Sequence, residues 1–234
     1  MPDLIEIICR KTKTYRDTFH SQDVGDLTTS DVLALFGMAL AHGHSGPVNV
    51  IDFGGACGAH YFRIKSLFRD NLQLNWHVVE TASMAGRAKE LSNHELQFFD
   101  SLSAARASFD YVDVVYSSGT LQYVSDPLET LTDLLACTAR YVVLARLGLA
   151  RDESSIITIQ ESRLSDNGPG PMPPGFKDGV ARYPVTFAAQ TRIESMLSED
   201  HKILLRLPDA SVASAYDRRV LGLGYVAELK SAAR

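Results

Sequence analysis

The chain predicts an α/β domain built on a mostly parallel sheet, and three observations carry that expectation. Short apolar segments recur at Val48–Phe53, Trp76–Val79, Leu96–Phe99, Tyr111–Tyr116 and Tyr141–Ala145, separated by stretches of helical character. Near-continuous apolar runs of this length suit parallel strands covered on both faces. The first of them, Val48-Asn-Val-Ile-Asp-Phe-Gly-Gly-Ala-Cys-Gly-Ala-His60, runs through a glycine-rich turn into a helix. The first two end in acids, Asp52 and Glu80. Strands alternating with helices in this way imply right-handed crossovers.

Residues 1–46 read as a helical cap, with an N-cap signal at Ser30 or Asp31 ahead of Val32–Ala41. Residues 47–150 carry the strands and form the core. Residues 151–185 are less regular: Ser154–Gln160 reads as a strand, and Asp166–Gly175 is too dense in Pro and Gly for a helix or central strand. A loop of this length in a compact domain is usually functional, so 161–185 reads as a lid. Residues 186–234 close the domain with a helix over Ala188–Ser198 and two strands, His201–Leu207 and Leu223–Leu229. No internal repeat is visible, and the whole chain is expected to be one domain.

The glycine turn narrows the ligand. A phosphate-binding P-loop would end in Gly-Lys-Ser/Thr, and this turn ends Gly58-Ala59-His60. The dinucleotide fingerprint G-x-G-x-x-G is also absent. Asp52, Gly54 and Gly58 fall on the D-x-G-x-G-x-G pattern that holds S-adenosyl-L-methionine (SAM), with Ala56 at the middle glycine. A glycine turn with no ligand remains the plain alternative. Glu80 lies about twenty residues beyond the glycines, where nucleotide folds place an acid on the ribose hydroxyls. A carboxylate can accept from both hydroxyls of a vicinal diol.

Together with Leu96-Gln-Phe-Phe, Ser117-Ser-Gly-Thr-Leu-Gln-Tyr123, Asp126-Pro127 and Tyr15-Arg-Asp17, these segments resemble class I SAM-dependent methyltransferases of bacterial polysaccharide and secondary-metabolite clusters. The resemblance covers roughly residues 14–200. It implies a Rossmann-like methyltransferase fold with a seven-stranded sheet and a terminal antiparallel strand. By the same resemblance Gly54, Gly55 and the segment after the fourth strand, with Ser117 and Ser118, would hold the methionine part of SAM, and Asp52, Ala56, Gly58, His60 and Thr81 belong to the same cofactor-binding set. Glu80 would hold the ribose, and Asp100 with Ser101 the adenine. The acceptor side departs from the family. Ala145-Arg-Leu-Gly148 stands where Asp-Arg-Thr-Pro is usual, Tyr183-Pro-Val-Thr186 lacks the family's tryptophan, and Thr81 replaces a common glutamine.

Methyl transfer is an in-line displacement that depends mostly on alignment and desolvation. Candidate catalytic residues are Gln122 and Tyr123 after the fourth strand, Arg146 after the fifth, and Tyr183 at the end of the lid. Arg146 suits a carboxylate. Tyr183 and Phe176 suit a sulfonium, and Tyr15 and Phe19 are placed to line the pocket. The chain shows no strong proton-abstracting dyad. That leaves open a second enzymatic reading, in which the α-amino group of SAM attacks its own γ-carbon to give azetidine-2-carboxylate and methylthioadenosine. A catalytically dead SAM-binding scaffold is the third.

With 234 residues, 45% of them hydrophobic, the chain can bury a full core. A net charge of −5 and a pI near 5.8 argue against nucleic-acid binding. No apolar run approaches the roughly 18–20 residues of a membrane span. The start of the chain is the reverse of a signal peptide, and Cys9, Cys57 and Cys137 suggest neither a disulfide framework nor a zinc site. A cytoplasmic location is expected. His42 and His44 read as exposed turn residues, and no metal is expected. The expected partners are a small-molecule substrate, or SAM alone, with a homodimer as the candidate assembly.

Overall fold

A computed structural model describes residues 2–18, 26–42, 46–68, 71–213 and 218–230. Phe19 and His44 lie outside them. Five strands form a parallel unit: β1 (Val48–Phe53), β2 (Leu74–Val79), β3 (Leu96–Phe99), β4 (Val114–Ser118) and β5 (Tyr141–Ala150), in the order β3-β2-β1-β4-β5. The chain runs outward from β1 to β3 and then returns to β4 on the other side. The carboxyl ends of β1 and β4 therefore flank the point where strand order reverses, which is where open α/β sheets bind ligands.

The alternation along β1 explains the layers. Val48 and Val50 face one core, which packs under α2 (Thr29–Ala41), α3 (Ala59–Phe68) and α4 (Ala82–Ala88). Ile51 faces the other, under α5 (Leu102–Ala107), α6 (Pro127–Leu135) and α7 (Gln190–Asp200). Every residue from Val48 to Asp52 is buried, as a strand covered on both sides requires. Helix α2 starts two or three residues earlier than its sequence signal. Thr28 is the N-cap, and Asp31 closes a capping box with it. That releases Ser30 from any capping role and leaves it buried.

The closing pair is present as β8 (His201–Pro208) and β9 (Val220–Leu229), with β9 antiparallel to both β5 and β8. Seven strands were expected, and the described residues contain nine. The two added strands, β6 (Ile156–Arg163) and β7 (Val180–Ala189), form an antiparallel hairpin. It joins the sheet where β7 runs parallel to the end of β5. The segment read as a lid is thus the tip of a hairpin with strand geometry at its base.

That tip rests on helix α1 (Pro2–Thr18). Lys11 donates to the Ser165 carbonyl at 2.7 Å, Gly168 lies against Ile8, and the Arg10 guanidinium sits 5.3 Å from the Phe176 ring centroid. On its other side, α1 pairs Glu6 with Arg87 of α4 at 2.6 Å. It is also joined covalently to the glycine turn by a Cys9–Cys57 disulfide. This bond corrects the sequence expectation, because a separation of 48 residues gives no hint that the two thiols meet. The expectation of a cytoplasmic location loses the support it drew from the cysteines. No helix among the described residues is long and apolar enough to cross a membrane.

A crosslink closing a loop of this size contributes about 2–4 kcal/mol. Cys9→Ser should therefore lower the thermal midpoint by at least ~5 °C. Reductant should bring the native protein toward the variant and leave the variant unmoved. Scanning calorimetry with and without reductant checks this, and a native midpoint indifferent to reductant contradicts the crosslink.

Candidate functional site

The turn between β1 and α3 is built on a buried acid. Asp52 is fully buried and accepts from the Trp76 indole N–H at 3.0 Å through Oδ2, while Oδ1 has no partner. A Cβ at Gly55 would collide with this carboxyl, so the backbone can cross Asp52 only without a side chain there. Burial pushes the Asp52 carboxyl up to about 7, with the Trp76 hydrogen bond opposing the rise and nearby Glu80 adding to it. Asp52 therefore supports the turn from below and does not reach the crevice.

Gly54 and Gly58 adopt positive φ values of 74° and 80°, and Ala56 joins them at 50°. Left-handed backbone costs an L-residue about 1–2 kcal/mol, which accounts for the glycine usual at the Ala56 position. The strained alanine turns its N–H toward β2. Glu80 Oε1 accepts from Ala56 N at 3.1 Å and Oε2 from Thr81 N at 3.0 Å. Burial raises the Glu80 carboxyl above its usual range, opposed by those two backbone donors. Thr81 caps α4. Asp100 is exposed at the tip of β3, beside Ser101, which caps α5.

Across the switch point, Thr120 Oγ1 donates to the Gly54 carbonyl at 3.3 Å, and Ser117 Oγ to the Phe53 carbonyl at 3.0 Å. Both hydroxyls tie β4 to β1. Ser117 is buried and committed to that carbonyl, so it acts behind the crevice wall. Ser118 instead begins a polar chain: Ser118 Oγ meets Ser30 Oγ at 3.0 Å, Ser30 meets the Tyr116 hydroxyl at 3.1 Å, and Tyr116 meets His60 Nδ1 at 3.4 Å. Burial, then the Arg146 cation, pushes the His60 imidazole down to about 4, against the attraction of Asp31. His60 is therefore neutral at neutral pH. Burial also raises the Tyr116 hydroxyl well above its usual value.

The acceptor-side candidates fall into two groups. Arg146 lies in a β-bulge of β5 at φ 52°, exposed, with its side chain against Gly119. Gln122 is buried beneath it, donating to the Arg146 carbonyl at 3.2 Å, and its Oε1 is unpartnered. Tyr123 and Tyr183 come together, with ring centroids 5.6 Å apart. Tyr123 donates to Gln160 at 3.2 Å, while the Tyr183 hydroxyl contacts Gln160 at 3.0 Å and Ser162 at 2.9 Å. Phe176 is placed elsewhere than expected: its ring meets Arg10 of α1, not the crevice. Tyr15 lies near Arg63 and Asp31. His42 is exposed at the end of α2, and no metal-holding group of side chains occurs among the described residues.

Sequence reasoning missed Ser30, Tyr116 and Thr120 as parts of this site. Ser30 and Tyr116 looked like capping and strand residues, and only the packing of α2 over β4 joins them to His60.

No protein-family model matches the chain, and no curated protein matches it in sequence. Solved structures do match in fold. The N-terminal domain of EvdMO1 with SAH bound is 14% identical over 90% of this chain and 82% of that one, with a TM-score of 0.53. The glycopeptide N-methyltransferase MtfA with sinefungin is 13% identical over 88% and 89%, at 0.50. Magnesium protoporphyrin IX methyltransferase from Synechocystis PCC 6803 with bound SAH is 13% identical over 94% and 100%, at 0.50. With its mixed, mostly parallel sheet, this chain has the Rossmann-like fold of SAM-dependent methyltransferases.

Two outcomes test the turn. Gly55→Ala should destabilise by about 1–3 kcal/mol, while Ala56→Gly should cost little or stabilise; denaturant unfolding of both reads the contrast, and equal losses would refute it. The second concerns pH. The raised Asp52 value favours the neutral carboxyl, so its contribution is complete below the unfolded value of about 3.9 and is lost as pH rises toward about 7. Asp52→Asn keeps an acceptor for Trp76 and removes that dependence. The unfolding free energy of the variant should gain on the native protein between acid and neutral pH; a constant difference would mean that Asp52 titrates normally.

Proposed function

We propose that this chain binds SAM at the carboxyl ends of β1, β2 and β4 and transfers its methyl group to a small molecule of secondary metabolism or polysaccharide biosynthesis. The observation that carries the reading is the pairing of Glu80 with Ala56 N at 3.1 Å, opposite Thr120 on Gly54. It sets a carboxylate and a bare backbone turn on two sides of the switch-point crevice. Each Glu80 oxygen keeps a free lone pair for a ribose hydroxyl beyond the backbone donor it already has. Asp100 and Ser101, at the next strand tip, suit the adenine edge. The likeness in fold to methyltransferases solved with SAH or sinefungin supports the same reading.

Bound SAM supplies an electrophilic methyl on a sulfonium. The chain's own residues supply position and a low-dielectric wall. A neutral His60 adds no second positive charge beside a cationic ligand. Arg146, with no ion pair among the described residues, offers its guanidinium to a carboxylate. Tyr123 and Tyr183 present ring surface from the hairpin side.

Glu80→Gln keeps one acceptor and removes the charge. It should weaken SAM binding by about 2 kcal/mol, roughly 30-fold, in calorimetric titration; unchanged affinity would overturn the ribose assignment. Mass spectrometry of the products decides the reaction. S-adenosylhomocysteine formed only with an added acceptor supports methyl transfer. Methylthioadenosine and azetidine-2-carboxylate from SAM alone would replace it with cyclisation, binding of SAM without turnover would leave a dead scaffold, and failure to bind SAM would overturn the reading.

A further inference from the structure

Strand β6 closes the sheet on its hairpin side: in the order β3-β2-β1-β4-β5-β7-β6 it pairs with β7 alone among the described residues. Its other edge therefore presents backbone donors and acceptors to a partner. Edges of soluble proteins are normally guarded by charge, proline or a bulge. The stretch Ile156-Ile157-Thr158-Ile159-Gln160 has none of these and is strongly β-forming. Side chains alternate across the hairpin. Gln160 and Ser162 face inward and hold the Tyr183 hydroxyl. Ile157 and Ile159 face outward at 74% and 64% exposure, with exposed Pro184 opposite Ile159.

We propose that β6 is the seam of a homodimer, in which two copies pair antiparallel about a two-fold axis through Thr158. The argument for a second copy is that the strand is complementary to itself. About Thr158, Ile157 lies opposite Ile159 of the second copy, and Ile159 opposite its Ile157. The outward isoleucines of both chains then join in one apolar patch, as cross-strand pairing favours. Moving the axis to Ile157 or Ile159 sets an isoleucine opposite Ser155 or Glu161 instead. Antiparallel pairing of like edges is a closed two-fold contact, so assembly stops at two chains. The seam also braces the hairpin whose inner face carries the Tyr123–Tyr183 cluster.

Sedimentation of the ligand-free protein over a concentration series tests this independently of any cofactor. The expected species has twice the 25.7 kDa chain mass. Ile157→Lys combined with Ile159→Lys sets like charges across the seam and should raise the dimer dissociation constant by more than about tenfold. Both side chains are exposed, so the circular dichroism spectrum and thermal midpoint should be retained. Thr158→Cys should crosslink to itself on mild oxidation, because directly opposed residues lie within disulfide reach. Glu161→Cys, opposite Ser155, should not. A monomer at every concentration overturns the proposal. So does a dimer that survives both lysines, or one that crosslinks no better through Thr158→Cys than through Glu161→Cys.

Discussion

The rest of the site depends on how the turn after β1 is held. Gly54 to Gly58 must stay in left-handed and close-packed conformations that cost energy, and four contacts hold them there. Asp52 fills the space beneath Gly55 and is itself gripped by Trp76. Glu80 takes the Ala56 N–H, Thr120 takes the Gly54 carbonyl, and the Cys9–Cys57 bond ties the end of the turn to α1. Backbone strain of this kind persists only where the surroundings over-determine it. Here they do so from β2, β4 and α1 together, so the crevice is shaped before any ligand arrives.

Helix α1 connects this turn with the β6–β7 hairpin. One face is bonded to the turn and to α4; another receives the hairpin tip through Lys11, Ile8 and Arg10. The tip and the glycine turn thus rest on one helix. The hairpin base is held differently, by the buried cluster of Ala150, Val185, Phe187 and Val220. The base is packed, and the tip is held by a few polar and aromatic contacts on α1.

Charge is distributed to match. His60 and Asp52 are both shifted by burial toward their neutral forms, whereas Arg146 is an exposed cation at the strand tips. Arg146 is held out by a bulge in β5 whose carbonyl is bonded by Gln122. A left-handed arginine on a central strand is costly, and its position beside Gly119 gives the strain a consequence: the guanidinium lies at the strand tips, next to the segment that bonds Gly54.

The parallel core, the glycine turn, the acid at Glu80, the N-terminal helices and the closing strands were legible in the sequence, because each follows from local periodicity or from torsions that only certain residues tolerate. Ala56 in the place of a glycine was visible too, although its bond to Glu80 was not. What only the tertiary structure decided are the meetings of distant side chains. Cys9 with Cys57, Ser30 with Tyr116 and Ser118, Tyr123 with Tyr183, and Phe176 with Arg10 all join segments whose spacing carries no shared period. The hairpin was half legible: Ile156–Gln160 has strand composition, but its partner β7 contains Pro184 and follows a Pro/Gly loop. Local sequence encodes backbone preference and burial pattern, whereas contact between remote groups is fixed by how whole layers pack, a property no short window contains.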